Sequence, residues 1–204
     1  MGFDWLTRWR TGPRWDEIDI WALDLEMSGL DPATDDVLSV GMVPIRNGVI
    51  NYGDRFYSLV RPRDPARVST DGLRAHHILP GEIADAPPLC EVVAAIDERL
   101  ADGVLLVHFA DVDVAFLRDA YRRCQRTWRR PRIVDSVRML LALHDARMRW
   151  TPHPPPAVTA LGVAREELGL PKYTPHHALS DALATAELFL ALRSRMNMQT
   201  LRGT

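Results

Sequence analysis

The chain has 204 residues, 47% of them hydrophobic and 25% charged, with a formal net charge of −2. These values suit one ordinary globular core and exclude a disordered polyelectrolyte or a collagen-like repeat; no apolar run approaches the ~20 residues that a bilayer span needs, so no membrane partner is expected. The near-neutral balance leaves nucleic-acid binding open, because an acidic metal site masks a basic surface in the sum.

Residues 1–17 read as a Trp/Arg-rich arm. Trp5 and Trp9 stand four apart, on one face if the arm is helical. The arm is expected either to pack on the domain or to dock a protein partner. Trp5, Trp9 and Arg10 interrupt the apolar stretch a signal peptide requires. Leu6 stands where a myristoylation signal carries Ser or Thr.

One domain is expected over 18–196, followed by a tail at 197–204. Residues 18–25, Ile-Asp-Ile-Trp-Ala-Leu-Asp-Leu, read as a buried strand, and Asp31-Pro32 starts a turn. Val37 to Arg46 is a second strand. Asn47-Gly48 predicts a tight hairpin into a third, from Val49 to about Val60. Beyond Pro62 and Pro65 the pattern changes. Helices are expected at 88–100, 112–125, 158–168 and 178–195. Short strands are expected at 104–107 and 133–134, with Asp135 placed to cap the helix that follows. A Pro-rich loop covers 151–156. A β-meander followed by alternating α and β implies a mixed sheet with helices on its faces.

Some chemistries are excluded. Lys172 is the only lysine and follows no Gly-rich loop, so there is no P-loop; no G-x-S-x-G elbow is present. Cys90 and Cys124 have no metal-ligand spacing and read as inert helix residues, which fits a reducing cytoplasm.

The chemistry lies in the acids. Asp24 and Glu26 close the first strand; residues two apart on a strand share a face, so their carboxylates sit side by side. Bare like charges there repel, and hard oxygens of this kind suit Mg²⁺ or Mn²⁺. Alone, such a pair is also what an exposed strand end looks like. Asp113 follows the buried strand Val-Leu-Leu-Val, where sheet proteins assemble sites; charge at a helix N-terminus explains it equally well. His176, His177 and Asp181 stand at the entrance of the last helix, whose core stripe is Leu179, Leu183, Ala186 and Leu190. Asp181 projects off that stripe. Four carboxylates balance two divalent cations, and two such ions about 3.5–4 Å apart activate a water and stabilise a leaving oxygen in phosphodiester hydrolysis. A nearby His takes the water's proton.

These residues resemble the motifs of the DEDDh exonucleases, the group that includes the proofreading epsilon subunit of bacterial DNA polymerase III, RNase T and oligoribonuclease. The first motif is Leu23 to Pro32, the second His108 to Leu117, and the third His176-His177-Ala178-Leu179-Ser180-Asp181-Ala182. His77-Ile78, Ala86-Pro87-Pro88 and Val134-Asp135-Ser136 extend the likeness, which covers roughly residues 18–192. The resemblance implies an α/β, RNase H-like fold with a five-stranded mixed sheet. It implies 3′→5′ removal of nucleoside 5′-monophosphates from a nucleic-acid end, with two divalent cations. Asp24, Glu26 and Asp181 would hold one ion; Asp24 would touch the second, with Asp113 near it. The general base falls on His176, although helical spacing alone selects His177. Met27, Ser28, Gly29 and Leu30 would contact the terminal nucleotide, with His77 beside them. One departure is visible: Phe109 and Val112 replace the Asn and Phe common in the second motif.

Single-stranded DNA is the favoured substrate, with RNA of the oligoribonuclease or RNase T kind as the alternative; a non-catalytic module docking to a polymerase is the competing class. Residues 118–132 carry seven arginines around Tyr121 and Trp128. They read either as a solvated helix face or as a phosphate track with stacking platforms.

Overall fold

A computed structural model of the chain describes residues 14–65, 68–101 and 103–198. The arm that carries Trp5 and Trp9, and most of the tail, lie outside the described residues. The strands are β1 (Ile20–Met27), β2 (Val37–Arg46), β3 (Val49–Ile50), β4 (Phe56–Leu59), β5 (Val104–Val107) and β6 (Arg132–Asp135). The helices are α1 (Thr70–Ala75), α2 (Pro80–Ala84), α3 (Leu89–Leu100), α4 (Ala110–Arg123), α5 (Ser136–Met148), α6 (Leu161–Glu167) and α7 (Ala178–Arg195).

Among the described residues these strands form one six-stranded sheet in the order β3-β2-β1-β5-β6, with β4 also on β2. β1 is antiparallel to β2 and parallel to β5, and β5 is parallel to β6. The mixed α/β sheet is the expected one; the sixth strand is a correction. The expected third strand is broken in two by a 3-10 turn at Tyr52–Asp54. After it, pairing with β2 resumes three residues out of register. Asn51, Gly53 and Asp54 are turn formers that a strand does not carry through. The hairpin at Asn47-Gly48 forms as expected, with φ of 49° and 76°, the double positive turn that matches strand twist.

The period-2 pattern of β1 decides which face carries the chemistry. Ile20 and Ala22 enter one core layer with Val104, Leu106, Val134, Leu188 and Phe189, under α5, α6 and α7. Trp21, Leu23 and Leu25 enter the other with Ile96, Leu105, Phe116 and Leu117, under α3 and α4. Asp24 and Glu26 continue the first register, so both carboxylates face the side that α7 covers. Trp15 joins the first layer edge-on to Phe189, centroids 6.3 Å apart.

Asp135 caps α5 as expected: its carboxylate accepts from the Val137 N–H at 2.9 Å and from the Ala110 N–H at 3.2 Å. One side chain thereby fixes the starts of α4 and α5, a cap of the kind that contributes about 1 kcal/mol.

The cysteines correct an expectation. Cys90, in the first turn of α3, and Cys124, just past the end of α4, form a disulfide with Cα atoms 5.3 Å apart. α3 and α4 share the same core layer, and that packing brings the start of one to the end of the other. The argument from unpaired thiols for a reducing compartment falls away with it. No helix among the described residues is long and apolar enough to cross a membrane.

Candidate active site

β1 ends in a cleft made by three other elements. Asp24 lies opposite Gly41 of β2 in the ladder. A Cβ at Gly41 would collide with the backbone of Ala178 and Leu179, so only glycine lets the N-terminus of α7 press onto the sheet there. That close approach carries Asp181, in the first turn of α7, over the pair on β1. Asp24, Glu26 and Asp181 each present an oxygen, and the three oxygens lie within 4.8 Å of one another.

Asp113 comes from the opposite layer. It sits in the first turn of α4 and is 5% exposed. It stands outside the three-oxygen cluster but close enough for its charge to act on Asp24. Burial, then Asp113, Glu26 and Asp181, hold the Asp24 carboxyl well above the usual carboxylate range. Burial likewise pushes Asp113 up to about 8 and raises Asp181. Asp24, Asp113 and Asp181 are thus gathered where protein alone does not stabilise their charge.

The histidines separate cleanly. His176 lies on the loop before α7 with φ 65°, exposed, at the mouth of the cleft; its backbone N–H donates to Asp181 at 2.8 Å. His177 is the N-cap of α7 and stacks on Tyr57 of β4, centroids 5.0 Å apart. Of the two, His176 lines the cleft, in keeping with the motif rather than with helical spacing.

His76 is the residue that sequence reasoning passed over. Its Nδ1 lies 2.5 Å from the Glu26 carboxylate, and its ring meets that of His176 edge-on at 6.3 Å. Glu26 raises the His76 pKa, favouring imidazolium there. His77, the expected substrate contact, is exposed in the left-handed region with φ 57° and does not line the cleft. The physical reason is that α1 ends at Ala75, so the chain turns at His76–His77 and inserts the first ring instead of the second. His108, at the head of the second motif, is a brace. Its Nε2 must donate to the Thr159 carbonyl, and its Nδ1 accepts from the Ser136 hydroxyl, both at 2.8 Å. Burial holds its pKa down, so the ring is neutral.

The cleft, about 440 Å³, is lined by Asp24, Glu26, His76, His176 and Asp181 and by the loop Met27, Ser28, Gly29 and Leu30. Leu30 is 80% exposed at its rim. The loop is held from behind. The Asp35 carboxylate packs against Gly29 and accepts from the Asp31 N–H at 2.9 Å. Asp36, 8% exposed, exchanges two hydrogen bonds with Ser28, both 2.9 Å: its N–H donates to the hydroxyl and its carbonyl accepts from the Ser28 N–H. The Asp36 carboxylate meets Arg63 at 2.8 Å and Arg123 at 2.9 Å. Neither Asp36 nor Arg63 stood out in the sequence, and Arg123 only as one of the seven arginines between 118 and 132.

The donor set fits a divalent cation. All the donors are carboxylate oxygens, which suit hard ions such as Mg²⁺ or Mn²⁺. Glu26 Oε1 is buried with no hydrogen-bond partner, which a polar atom seldom tolerates unless something else satisfies it.

Comparisons with known proteins bear on the family and the fold. The sequence model of the RNase T group, described as exonuclease, matches residues 21–189. The chain is 30% identical over 170 residues to the PolC-type DNA polymerase III of Thermotoga maritima, across 82% of this chain and 11% of that protein. It is 28% identical over 172 residues to the DNA polymerase III subunit epsilon of Treponema pallidum, across 84% of this chain and 74% of that protein. Exonuclease I superposes with a TM-score of 0.75 at 16% identity, over 87% of this chain and 41% of that one. Escherichia coli exonuclease I in complex with a dA16 oligonucleotide gives 0.73 at 15% identity, over 87% of this chain and 41% of that one. At such identities the structural likeness shows the fold, which is RNase H-like. Measured on the first curated relatives, the chain spans between 11% and 24% of their length.

Proposed function

The chain belongs to the exonuclease family whose sequence model matches residues 21–189, and from that membership we propose that it is a metal-dependent 3′→5′ exonuclease acting on single-stranded DNA. The observation that carries the reading is the convergence of Asp24, Glu26 and Asp181 within 4.8 Å, with Asp113 behind them and His176 on the adjoining loop. Asp24, Glu26 and Asp181 would hold one Mg²⁺ or Mn²⁺, and Asp24 with Asp113 a second. Bound there, the ions supply Lewis-acid stabilisation of the attacking and leaving oxygens.

The chain's own groups do the rest. His176, on a loop outside the helix, takes the proton of the attacking water. Leu30 wedges against the terminal base, and Met27, Ser28 and Gly29 line its seat. Asp36 positions that loop through Ser28. His76, whose Nδ1 meets the Glu26 carboxylate, would balance that charge while no cation is bound. DNA is favoured because relatives bear the name DNA polymerase III and a structural neighbour holds dA16. The same relatives make a polymerase the proposed protein partner, with the Trp/Arg-rich segment ahead of the buried Trp15 as the docking arm, and work beside such a polymerase would place the chain in the cytoplasm.

The test is turnover with Mn²⁺ of strands labelled at the 5′ end, made of DNA and of RNA in matched sequence. A ladder shortening from the 3′ end, faster on DNA, supports the reading. Faster loss of RNA moves the substrate to the alternative, and cutting from the 5′ end sinks the direction.

A further inference from the structure

The seven arginines between 118 and 132 differ in fate, and two of them, Arg129 and Arg132, lie outside both groups that follow. Arg122 pairs with Asp119, Arg123 with Asp36 and Arg126 with Asp97, so these three are spent on structure. Among the described residues Arg118 and Arg130 have no carboxylate partner, and with Arg138 from the first turn of α5 they surround a groove of about 440 Å³ lined by Val114, Trp128 and Ile133. All three guanidinium-bearing residues are exposed, and the groove holds one acid, Asp111.

The groove adjoins the cleft through α4. Residues 111, 114, 115 and 118 of that helix lie on one face and line the groove. Asp113, two positions from Asp111, is buried toward β1 on another face. β1, β5 and β6 are parallel, so their carboxyl ends share one sheet edge. Ala110 and Arg138 lie just past that edge, and Arg130 precedes the opposite end of β6. The groove therefore lies on the α3–α4 face, opposite the face that carries Asp24 and Glu26, and extends from the sheet edge at which β1 also ends along the four residues of β6, a distance of about 13 Å. Phe109, the N-cap of α4 and chain neighbour of the groove residue Ala110, is 49% exposed.

We propose that Arg118, Arg130 and Arg138 form a phosphate track for the nucleic-acid strand upstream of the terminal nucleotide, with Phe109 as a stacking platform at its entrance. The proposal rests on the nuclease reading for its direction, and on the groove alone for its existence. Unpaired guanidinium forks in a row match phosphate oxygens bidentately. An exposed aromatic ring accepts any base. Phe109 replaces the polar residue common in its motif, which turns that departure into a contact.

The test is fluorescence anisotropy in EDTA with a labelled DNA strand of about 15 nucleotides, near the site sizes of single-strand binders. The triple variant Arg118→Gln/Arg130→Gln/Arg138→Gln is expected to bind at least tenfold more weakly. Its slope of log affinity against log salt should shrink by about 2, three contacts at ~0.7 each. Hydrolysis of the p-nitrophenyl ester of thymidine 5′-monophosphate with Mn²⁺, a substrate too short to reach the groove, should be unchanged. Arg130→Gln alone, at an exposed loop position, should carry about a third of the slope change. Unchanged affinity and slope in either variant overturn the track. So does a larger loss for polyglutamate than for DNA, which makes the groove a protein-docking face. If wild type hydrolyses neither substrate but the slope still falls, the track stands and the nuclease reading is the part that fails.

Discussion

Gly41→Ala perturbs the site without touching any functional side chain. The added Cβ would lie inside 3.0 Å of three backbone atoms of Ala178 and Leu179, where ordinary contact begins at 3.4 Å. These are backbone atoms, so no side-chain rotation relieves the clash. The start of α7 must retreat by about 1 Å to regain a normal carbon–carbon separation. Overpacking of this kind costs about 1–3 kcal/mol, which for a chain of this size lowers Tm by about 3–10 °C. The functional effect is larger. Asp181 rides on the displaced turn, and a 1 Å misplacement costs on the order of 100-fold in rate. The assay is Mn²⁺-dependent nucleotide release at 25 °C, with the variant's fold checked by circular dichroism. Gly53→Ala is the control, since its Cβ meets nothing within 4 Å; it should retain wild-type rate. A folded Gly41→Ala with wild-type rate refutes the claim that this contact sets the metal cluster.

Three further outcomes follow from the geometry. His176→Ala should lower kcat by about 10²–10⁴-fold while His177→Ala, whose ring stacks on Tyr57 instead, costs stability more than rate; equal rate losses contradict the assignment. In chelator, Asp113 keeps its proton in the folded chain up to about pH 8, while the unfolded chain releases it near the usual carboxylate value. Folding stability should therefore fall as pH rises from about 4 to 8, with a shallower fall in Asp113→Asn and in wild type with Mn²⁺; identical slopes in all three contradict the buried acid. Reduction of the Cys90–Cys124 bond opens a 34-residue separation and should cost about 4 kcal/mol on loop entropy, a Tm drop of roughly 10 °C; a reduced protein that melts with the oxidised one contradicts the crosslink.

Much of this was legible in the sequence because it rests on local periodicity. The alternation in β1 placed Asp24 and Glu26 on one face. The bounds of α7, Ala178–Arg195, match the expectation, but its stripe does not: of Leu179, Leu183, Ala186 and Leu190 only Ala186 is buried. The core face is made by Phe189 with Ala178, Ala182, Thr185 and Ala186, small residues that suit the close approach to Gly41. What was not legible depends on contacts between distant segments. α1 and α2 are too short to show a period, and their place is set by Leu73, Ile78 and Ile83 packing on Leu38. Because the end of α1 was invisible, so was the insertion of His76 in place of His77. The disulfide required knowing that the start of α3 meets the end of α4. Asp36 looks like any surface acid until Arg63 and Arg123, 27 and 87 residues away, converge on it. The arginine run was ambiguous for the same reason: only the fold separates arginines spent on carboxylates from those facing an open groove.

The most direct measurement is the product of the reaction under metal control. Purified chain with a DNA strand labelled at its 5′ end should release nucleoside 5′-monophosphates from the 3′ end in Mn²⁺ or Mg²⁺. Release should stop in excess EDTA and be lost in a folded Asp181→Asn. Release that persists in EDTA, or a folded Asp181→Asn that works at wild-type rate, contradicts the account.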